Sequence, residues 1–252
     1  MKKVLITGAS DGIGLAAALL FAKQGDQLTL VARSASKLEA AVKSLPGIGH
    51  TFIVADLTTK DDVHKLKPVI EQERFDIVIN NAGVGLYGKF HELTLSDQVK
   101  MMNLNMNALT AISHFYLGIA TSGSTLVNIA STLGTSSFAG LSVYSATKAF
   151  VTIFSESLWR EYKKKDIYVM AFCPGVTATH FHEGGGSSTE VYPKFITQTP
   201  EQVAVELVRA IDRRRKPRVV SGIMNRMMLY FQKFMSRRTV ATTMGRFSPV
   251  KV

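Results

Sequence analysis

The sequence predicts an α/β protein built on a doubly wound parallel sheet of about seven strands, three layers deep as helix, sheet and helix. Three observations carry this expectation. Short runs rich in Val, Ile and Leu are continuous rather than alternating, the pattern of strands covered on both faces. Longer stretches of helical period separate these runs from one end of the chain to the other. The first run also leads straight into a glycine-rich turn and an alanine-rich helix start.

In chain order, the expected strands are Lys3–Ile6, Gln27–Val31, Thr51–Val54, Asp76–Ile79, Thr125–Ile129, Tyr168–Phe172 and Arg218–Val220. Helical patterns lie between them near 13–24, 36–45, 60–73, 95–120, 145–164 and 200–214. Strands alternating with helices of this length call for right-handed crossovers and parallel pairing. No composition break, internal repeat or low-complexity tract divides the chain. The expectation is one domain over residues 1–222, followed by a basic amphipathic extension over 223–252.

Composition removes several classes. With 252 residues, 46% hydrophobic and 19% charged, the chain is too apolar to be mostly disordered and long enough for a proper core. The mean hydropathy of +0.12 is high, yet no run approaches the roughly eighteen apolar residues of a membrane span. Met1-Lys2-Lys3 looks like the start of a secretion signal, but the apolar stretch stops at Ile6 and meets Thr7-Gly8, so none is expected. The single cysteine, Cys173, permits no internal disulfide, which suits a cytoplasmic protein. It reads as a buried small hydrophobe rather than a reactive thiol.

The net charge of +11 is localised. Residues 1–208 hold 18 basic and 18 acidic side chains, whereas residues 209–252 hold 12 basic ones and only Asp212. This is a neutral body with a basic end.

The glycine-rich turn reads Thr7-Gly8-Ala9-Ser10-Asp11-Gly12-Ile13-Gly14. Glycines there let the backbone approach a pyrophosphate, and the following helix points its partially positive N-terminus at the phosphates. The bland alternative is a tight strand–helix turn. An acid about 20 residues past such a loop would bind the ribose 2′-hydroxyl of NAD. The second strand ends instead in Val31-Ala32-Arg33-Ser34, and Arg33 offers its planar fork to a 2′-phosphate, so NADP(H) is favoured over NAD.

Tyr144 and Lys148 are four residues apart at the start of a helix and share one face. An ammonium under the phenol is expected to lower the tyrosine pKa from about 10 toward neutrality and make it a usable acid or base. Such a pair is common by chance, and its value lies in its company. Ser131 ends the fifth strand thirteen residues earlier, where open α/β sheets bind ligands.

These motifs together resemble the classical short-chain dehydrogenases/reductases, Rossmann-type proteins, over roughly residues 3–221. The matching positions are Thr7-Gly8 with Gly12 and Gly14, Asp56-Leu57, Asn80-Asn81-Ala82-Gly83, Asn105, Ser131, Tyr144 with Lys148, and Pro174-Gly175 with Thr179. The resemblance implies that Tyr144 exchanges a proton with a carbonyl or alcohol oxygen that Ser131 also holds. Lys148 would hold the nicotinamide ribose and tune Tyr144, and Asn105 would anchor a proton-relaying water chain, with Asn103 as the alternative. Asp56 and Leu57 would meet the adenine, Asn81, Ala82 and Gly83 would support the sheet beside the cofactor, and Thr179 would touch the carboxamide beside Pro174 and Gly175. The activity implied is hydride transfer between NADP(H) and a small-molecule carbonyl or secondary alcohol, by a homodimer or homotetramer. The alternative is a non-catalytic NADP-binding sensor.

After Gly175 a loop runs through His180, Phe181, His182, Glu183, Gly184-Gly185-Gly186 and Tyr192; the resemblance implies a mobile substrate lid. Its histidines read as solvated loop residues, so no metal is expected. In the extension, Ile223, Met224, Met227, Met228, Tyr230, Phe231, Phe234 and Met235 fill one arc of about 160° at 100° per residue, with polar and cationic residues opposite. That face would pack on the enzyme's own pocket or on a dimer mate, or lie on an anionic membrane surface, which would suit a lipophilic substrate. The arc is too wide for a groove-reading helix, so nucleic acid is not an expected partner.

Overall fold

The computed structural model describes residues 1–179, 181, 192, 196–246, 248 and 250. A seven-stranded sheet runs through it, all neighbours parallel, in the order β3-β2-β1-β4-β5-β6-β7. The strands are β1 (Lys3–Thr7), β2 (Gln27–Ala32), β3 (Thr51–Val54), β4 (Ile77–Asn80), β5 (Thr125–Ile129), β6 (Tyr168–Cys173) and β7 (Arg218–Val220). The strand order reverses between β1 and β4, the position at which doubly wound sheets open a crevice at their carboxyl ends.

Successive side chains of each strand serve opposite layers. Val4, Ile6, Ile77, Ile79, Met170 and Phe172 face α1 (Gly12–Lys23), α2 (Ala35–Ser44) and α7 (Pro200–Arg213). Leu5, Val31, Val78, Leu126 and Val169 face α3 (Lys60–Glu73) and α5 (Leu109–Leu117), while Met101 of α4 (Leu95–Met102) packs apart from them with Phe138, Leu141 and Tyr144. The longest helix, α6 (Ser142–Tyr162), follows β5 and carries Tyr144 and Lys148. Helix starts sit where polar caps allow: Asp11, Ser34, Thr59, Thr94 and Thr199 each accept a backbone N–H from the first turn.

Two elements depart from the expected pattern. The helix expected over 95–120 is interrupted by a π-helical segment at Asn103–Ala108 between α4 and α5. The extension is not one helix but two, α8 (Ile223–Gln232) and α9 (Arg237–Arg246). Ser236 divides them, because its hydroxyl accepts the Thr239 N–H at 3.1 Å and starts a new helix. His180, His182, Glu183 and Gly184–Gly186 lie outside the described residues.

Candidate active site

The glycine turn is clamped from β4. Thr7 Oγ1 accepts the backbone N–H groups of Asn81 and Ala82, both at 3.0 Å. Asn81 Nδ2 returns two bonds, to the carbonyls of Thr7 and Gly8, also at 3.0 Å. Gly8 and Gly12 take φ of +64° and +55°, which side chains resist. A Cβ on Gly14 would stand 2.5 Å from the Gly8 carbonyl oxygen. Asp11 caps α1 through Gly12 N–H at 2.7 Å, while Ser10 and Ile13 stay half-buried beside the turn.

Arg33 is exposed just beyond β2 and has no acidic partner among the described residues; Ser34 next to it caps α2. Asp56 follows β3, where one carboxylate oxygen holds the Thr58 N–H and hydroxyl at 3.0 and 2.8 Å. Leu57 sends its side chain into the core with Val63 and Leu66, so only its backbone faces the crevice edge. Thr179 lies across from Gly12, its Cγ2 3.0 Å from where a Cβ would be.

Three proposed catalytic groups converge at the end of β5. Ser131 and Tyr144 line the same cavity, and the Ser131 hydroxyl accepts the Leu133 N–H at 3.2 Å. Lys148 Nζ lies 5.8 Å from the Tyr144 ring centroid and donates to the Ile129 carbonyl at 2.8 Å. All three side chains are buried. The tyrosine pKa is not lowered as expected. Burial pushes the phenol up to about 12, outweighing the neighbouring Ser131 hydroxyl, which favours phenolate. The same burial pushes Lys148 down to about 8. The phenol is therefore held protonated at neutral pH, as a proton donor requires.

Asn105 and Asn103 separate cleanly. Asn105 is buried, accepts Val84 N–H at 3.0 Å, and donates to Val84 O at 2.9 Å and Thr147 Oγ1 at 3.1 Å. Gly83 sits between Asn105 Oδ1 and Lys148 Nζ, which would lie 3.2 and 3.4 Å from a Cβ there. Asn103 bonds Asn107 on the exposed side. The π-helical turn rotates Asn105 inward, a frequent use of such bulges at functional sites.

A cavity of about 520 Å³ opens over these groups, lined by Ser131, Tyr144, Lys148, Gly83, Pro174 and Gly175 on its floor. Its upper walls are apolar and include Phe138, Phe181, Met224, Met228, Phe231 and Met244. Phe181 and Tyr192 lie on the segment that the resemblance implies to be a substrate lid, and the pocket is one of the three placements the sequence leaves open for the methionines of α8. The sequence does not mark Tyr87, Phe138 or Met244. These come from segments far apart in the chain, and a single buried methionine in α9 carries no local signal. Among the described residues no cluster of His, Cys, Asp or Glu could hold a metal ion. Cys173 is buried, and burial pushes its thiol up to about 12.

α8 and α9 roof this cavity. Ser136 donates to Gln232 Oε1 at 2.5 Å, and Gln232 Nε2 lies 3.4 Å from Met244 Sδ. Met244 packs with Phe138, Leu141 and Tyr144. Asn225, near the start of α8, lies against Gly175. The extension therefore packs on the protein's own pocket, one of the placements expected for it.

Known proteins share this arrangement. The family model described as short chain dehydrogenase matches residues 2–188. An NADP-dependent 3-hydroxy acid dehydrogenase of Schizosaccharomyces pombe is 34% identical over 230 residues, 84% of this chain and 88% of that one. A very-long-chain 3-oxoacyl-CoA reductase of Anas platyrhynchos is 31% identical over 207 residues, 78% of this chain but 64% of that protein's length. A solved short-chain dehydrogenase from Sphingobium yanoikuyae in complex with NADPH is 30% identical, with a TM-score of 0.81 over 93% of this chain and 94% of that one.

Proposed function

Because the chain belongs to the short-chain dehydrogenase family, we propose that it is an NADP(H)-dependent oxidoreductase acting on a carbonyl or secondary alcohol of a lipophilic small molecule. The convergence of Ser131, Tyr144 and Lys148 under one apolar cavity carries this reading. The residues fit the cofactor: the turn, with Gly8 and Gly12 at positive φ, leads from β1 straight into the N-terminus of α1, the arrangement that receives a pyrophosphate, and the close packing of Gly8 and Gly14 on Ala82 and the Gly8 carbonyl holds it in that shape. Arg33, exposed and without a carboxylate partner among the described residues, suits a 2′-phosphate. NADPH, when bound, supplies the hydride.

The chain's own groups do the rest. Tyr144, protonated, gives its proton to the carbonyl oxygen as negative charge develops there, and Ser131 donates a second hydrogen bond to that oxygen. Lys148 holds the ribose and stands next to the phenol. Asn105, fixed between Val84 and Thr147, supports the path by which protons return. For oxidation the same groups run in reverse, Tyr144 taking the proton. The relatives' names concern oxoacyl and hydroxy acid substrates, and methionine-rich walls of this cavity adapt to such flexible apolar chains. The sensor alternative has no feature in its favour, since the full catalytic set is present. Leu95, Val99 and Ile153 leave apolar surface on α4 and α6, which supports assembly of like subunits through those helices.

The test is consumption of NADPH and of NADH with 3-oxoacyl thioesters, bulky ketones and ketosteroids, for wild type and Tyr144→Phe. The variant should bind NADPH normally and lose turnover by about two to four orders of magnitude. Turnover retained in Tyr144→Phe, or no turnover with any carbonyl in wild type, would overturn the assignment.

A further inference from the structure

The fold uses only half of the apolar arc of α8. Met224, Met228, Phe231 and Met235 line the cavity. Ile223, Met227, Tyr230 and Phe234 do not, and they are 68, 49, 58 and 75% exposed. These four form a strip rather than scattered residues: Ile223, Met227 and Tyr230 recur at helical spacing on α8, Phe234 follows in the turn after it, and the Tyr230 and Phe234 rings pack edge-on at 5.4 Å. At 100° per residue Arg226 comes next around α8 from Tyr230, Lys233 closes that helix, and Arg237 and Arg238 open α9 just beyond it. Lys233, Arg237 and Arg238 are exposed with no acidic partner among the described residues, while Arg226 pairs with Glu206 at 3.4 Å. Residues 223–252 contain six basic side chains and no acid.

We infer that this strip docks the protein on an anionic lipid bilayer, with Ile223, Met227, Tyr230 and Phe234 entering the boundary between headgroups and acyl chains. Charge selects the occupant. Two copies of such a cationic face repel, so a second copy of this chain is a poor match, and a phosphate backbone offers nothing to four large apolar side chains. An interface of anionic headgroups over hydrocarbon matches both halves of the pattern. The placement also has a consequence for the site. Phe231 lines the cavity and is 60% exposed, so the pocket's rim runs along the same helix. A lipophilic substrate dissolved in the bilayer then reaches Tyr144 by crossing one helix, without passing through water. This consequence rests on the proposed substrate class, whereas the docking itself does not.

The test is co-sedimentation of the full-length protein with vesicles of phosphatidylcholine, alone or mixed with phosphatidylglycerol, without substrate or cofactor. Wild type should bind the anionic vesicles, release from them in high salt, and ignore the neutral ones. Two triple variants separate the contributions: Met227→Ser with Tyr230→Ser and Phe234→Ser, and Lys233→Glu with Arg237→Glu and Arg238→Glu. Each should lose binding about tenfold or more. Turnover of a short, water-soluble carbonyl should be unchanged in both, which also shows that they fold. No binding by wild type, or binding unchanged in either variant, overturns the inference. So does a wild-type dimer in sedimentation velocity that the serine variant dissolves, which would assign the strip to a second copy. Because vesicle binding is read without turnover, its failure leaves the proposed reaction untouched.

Discussion

Lys148 Nζ donates a 2.8 Å hydrogen bond to the carbonyl oxygen of Ile129, two residues before Ser131 on the same strand end. That bond ties the amine of α6 to β5, so the phenol one turn earlier and the serine hydroxyl are held by one short stretch of backbone. The amine is buried there, which pushes it down to about 8. Its charge is therefore costly in the folded state at neutral pH.

The cost makes stability depend on pH in a defined direction. An unfolded lysine keeps its proton to about 10.5, so between about 8 and 10.5 the unfolded chain binds more protons and the folded form gains stability as pH rises. Cys173 and Tyr144, both pushed up to about 12, act the opposite way once their unfolded pKa values are passed. A comparison of wild type with Lys148→Met removes most of that opposing change, leaving only the part that reflects the coupling of Lys148 to Cys173. The variant should be the more stable at pH 7, by on the order of 3 kcal/mol less whatever the Ile129 bond contributes, and this advantage should shrink from pH 8 to 10.5. Thermal melts across that range check it, and parallel curves for the two proteins would sink it.

Asn105 and Asn103 should behave differently when each is changed to alanine. Asn105→Ala removes both bonds to Val84 and leaves a buried N–H and C=O unpaired, at about 1–3 kcal/mol. It should also lower turnover more than it lowers cofactor affinity. Asn103→Ala gives up only the bond from Asn107 on the exposed side and should stay within about 0.5 kcal/mol of wild type with normal turnover. Equal losses from both variants would contradict the inward turn of the π-helical segment.

Much of this was legible in the sequence for a physical reason. Parallel strands buried on both faces leave continuous apolar runs, and each expected run lies within a residue of an observed strand. Gly8, Gly12 and Gly14 were readable because only glycine tolerates those approaches. What escaped was set by tertiary competition. The break at Asn103–Ala108 has no proline or glycine to announce it; its three asparagines are weak helix formers, but that preference does not distinguish a π-helical turn from an ordinary helix end. The phenol's pKa depends on how deeply α6 buries the ring, which spacing does not encode. The split of the α8 face depends on which half of one apolar arc meets the pocket. Ser236 was a visible signal that was passed over: a cap residue standing between two helices.

Arg33 should decide between the two nicotinamide dinucleotides. It stands exposed just beyond β2, beside the capped N-terminus of α2, with no carboxylate partner among the described residues. Arg33→Ala should raise KM for NADPH by about ten- to a hundredfold, the size of one or two charge-assisted hydrogen bonds, and change KM for NADH little. Steady-state kinetics with both cofactors reads this directly. A parallel loss with NADH would mean that Arg33 supports the loop rather than the phosphate.

Gln232 should tune substrate selection without entering the chemistry. Its amide bridges the two sides of the cavity roof, accepting from Ser136 at 2.5 Å and reaching Met244 Sδ at 3.4 Å. Ser136 lies in the turn between Ser131 and α6, so this bridge fixes α8 over the pocket without touching Tyr144. Gln232→Ala should loosen the roof and raise KM for bulky apolar carbonyls by about three- to tenfold, since one neutral hydrogen bond is worth about 1 kcal/mol. With a small soluble carbonyl that makes no use of the upper walls, both kcat and KM should hold. A fall in kcat for both substrates would instead place Gln232 in the support of the reacting centre, since Ser136 stands between Ser131 and Tyr144 in the chain and Met244 packs with Tyr144.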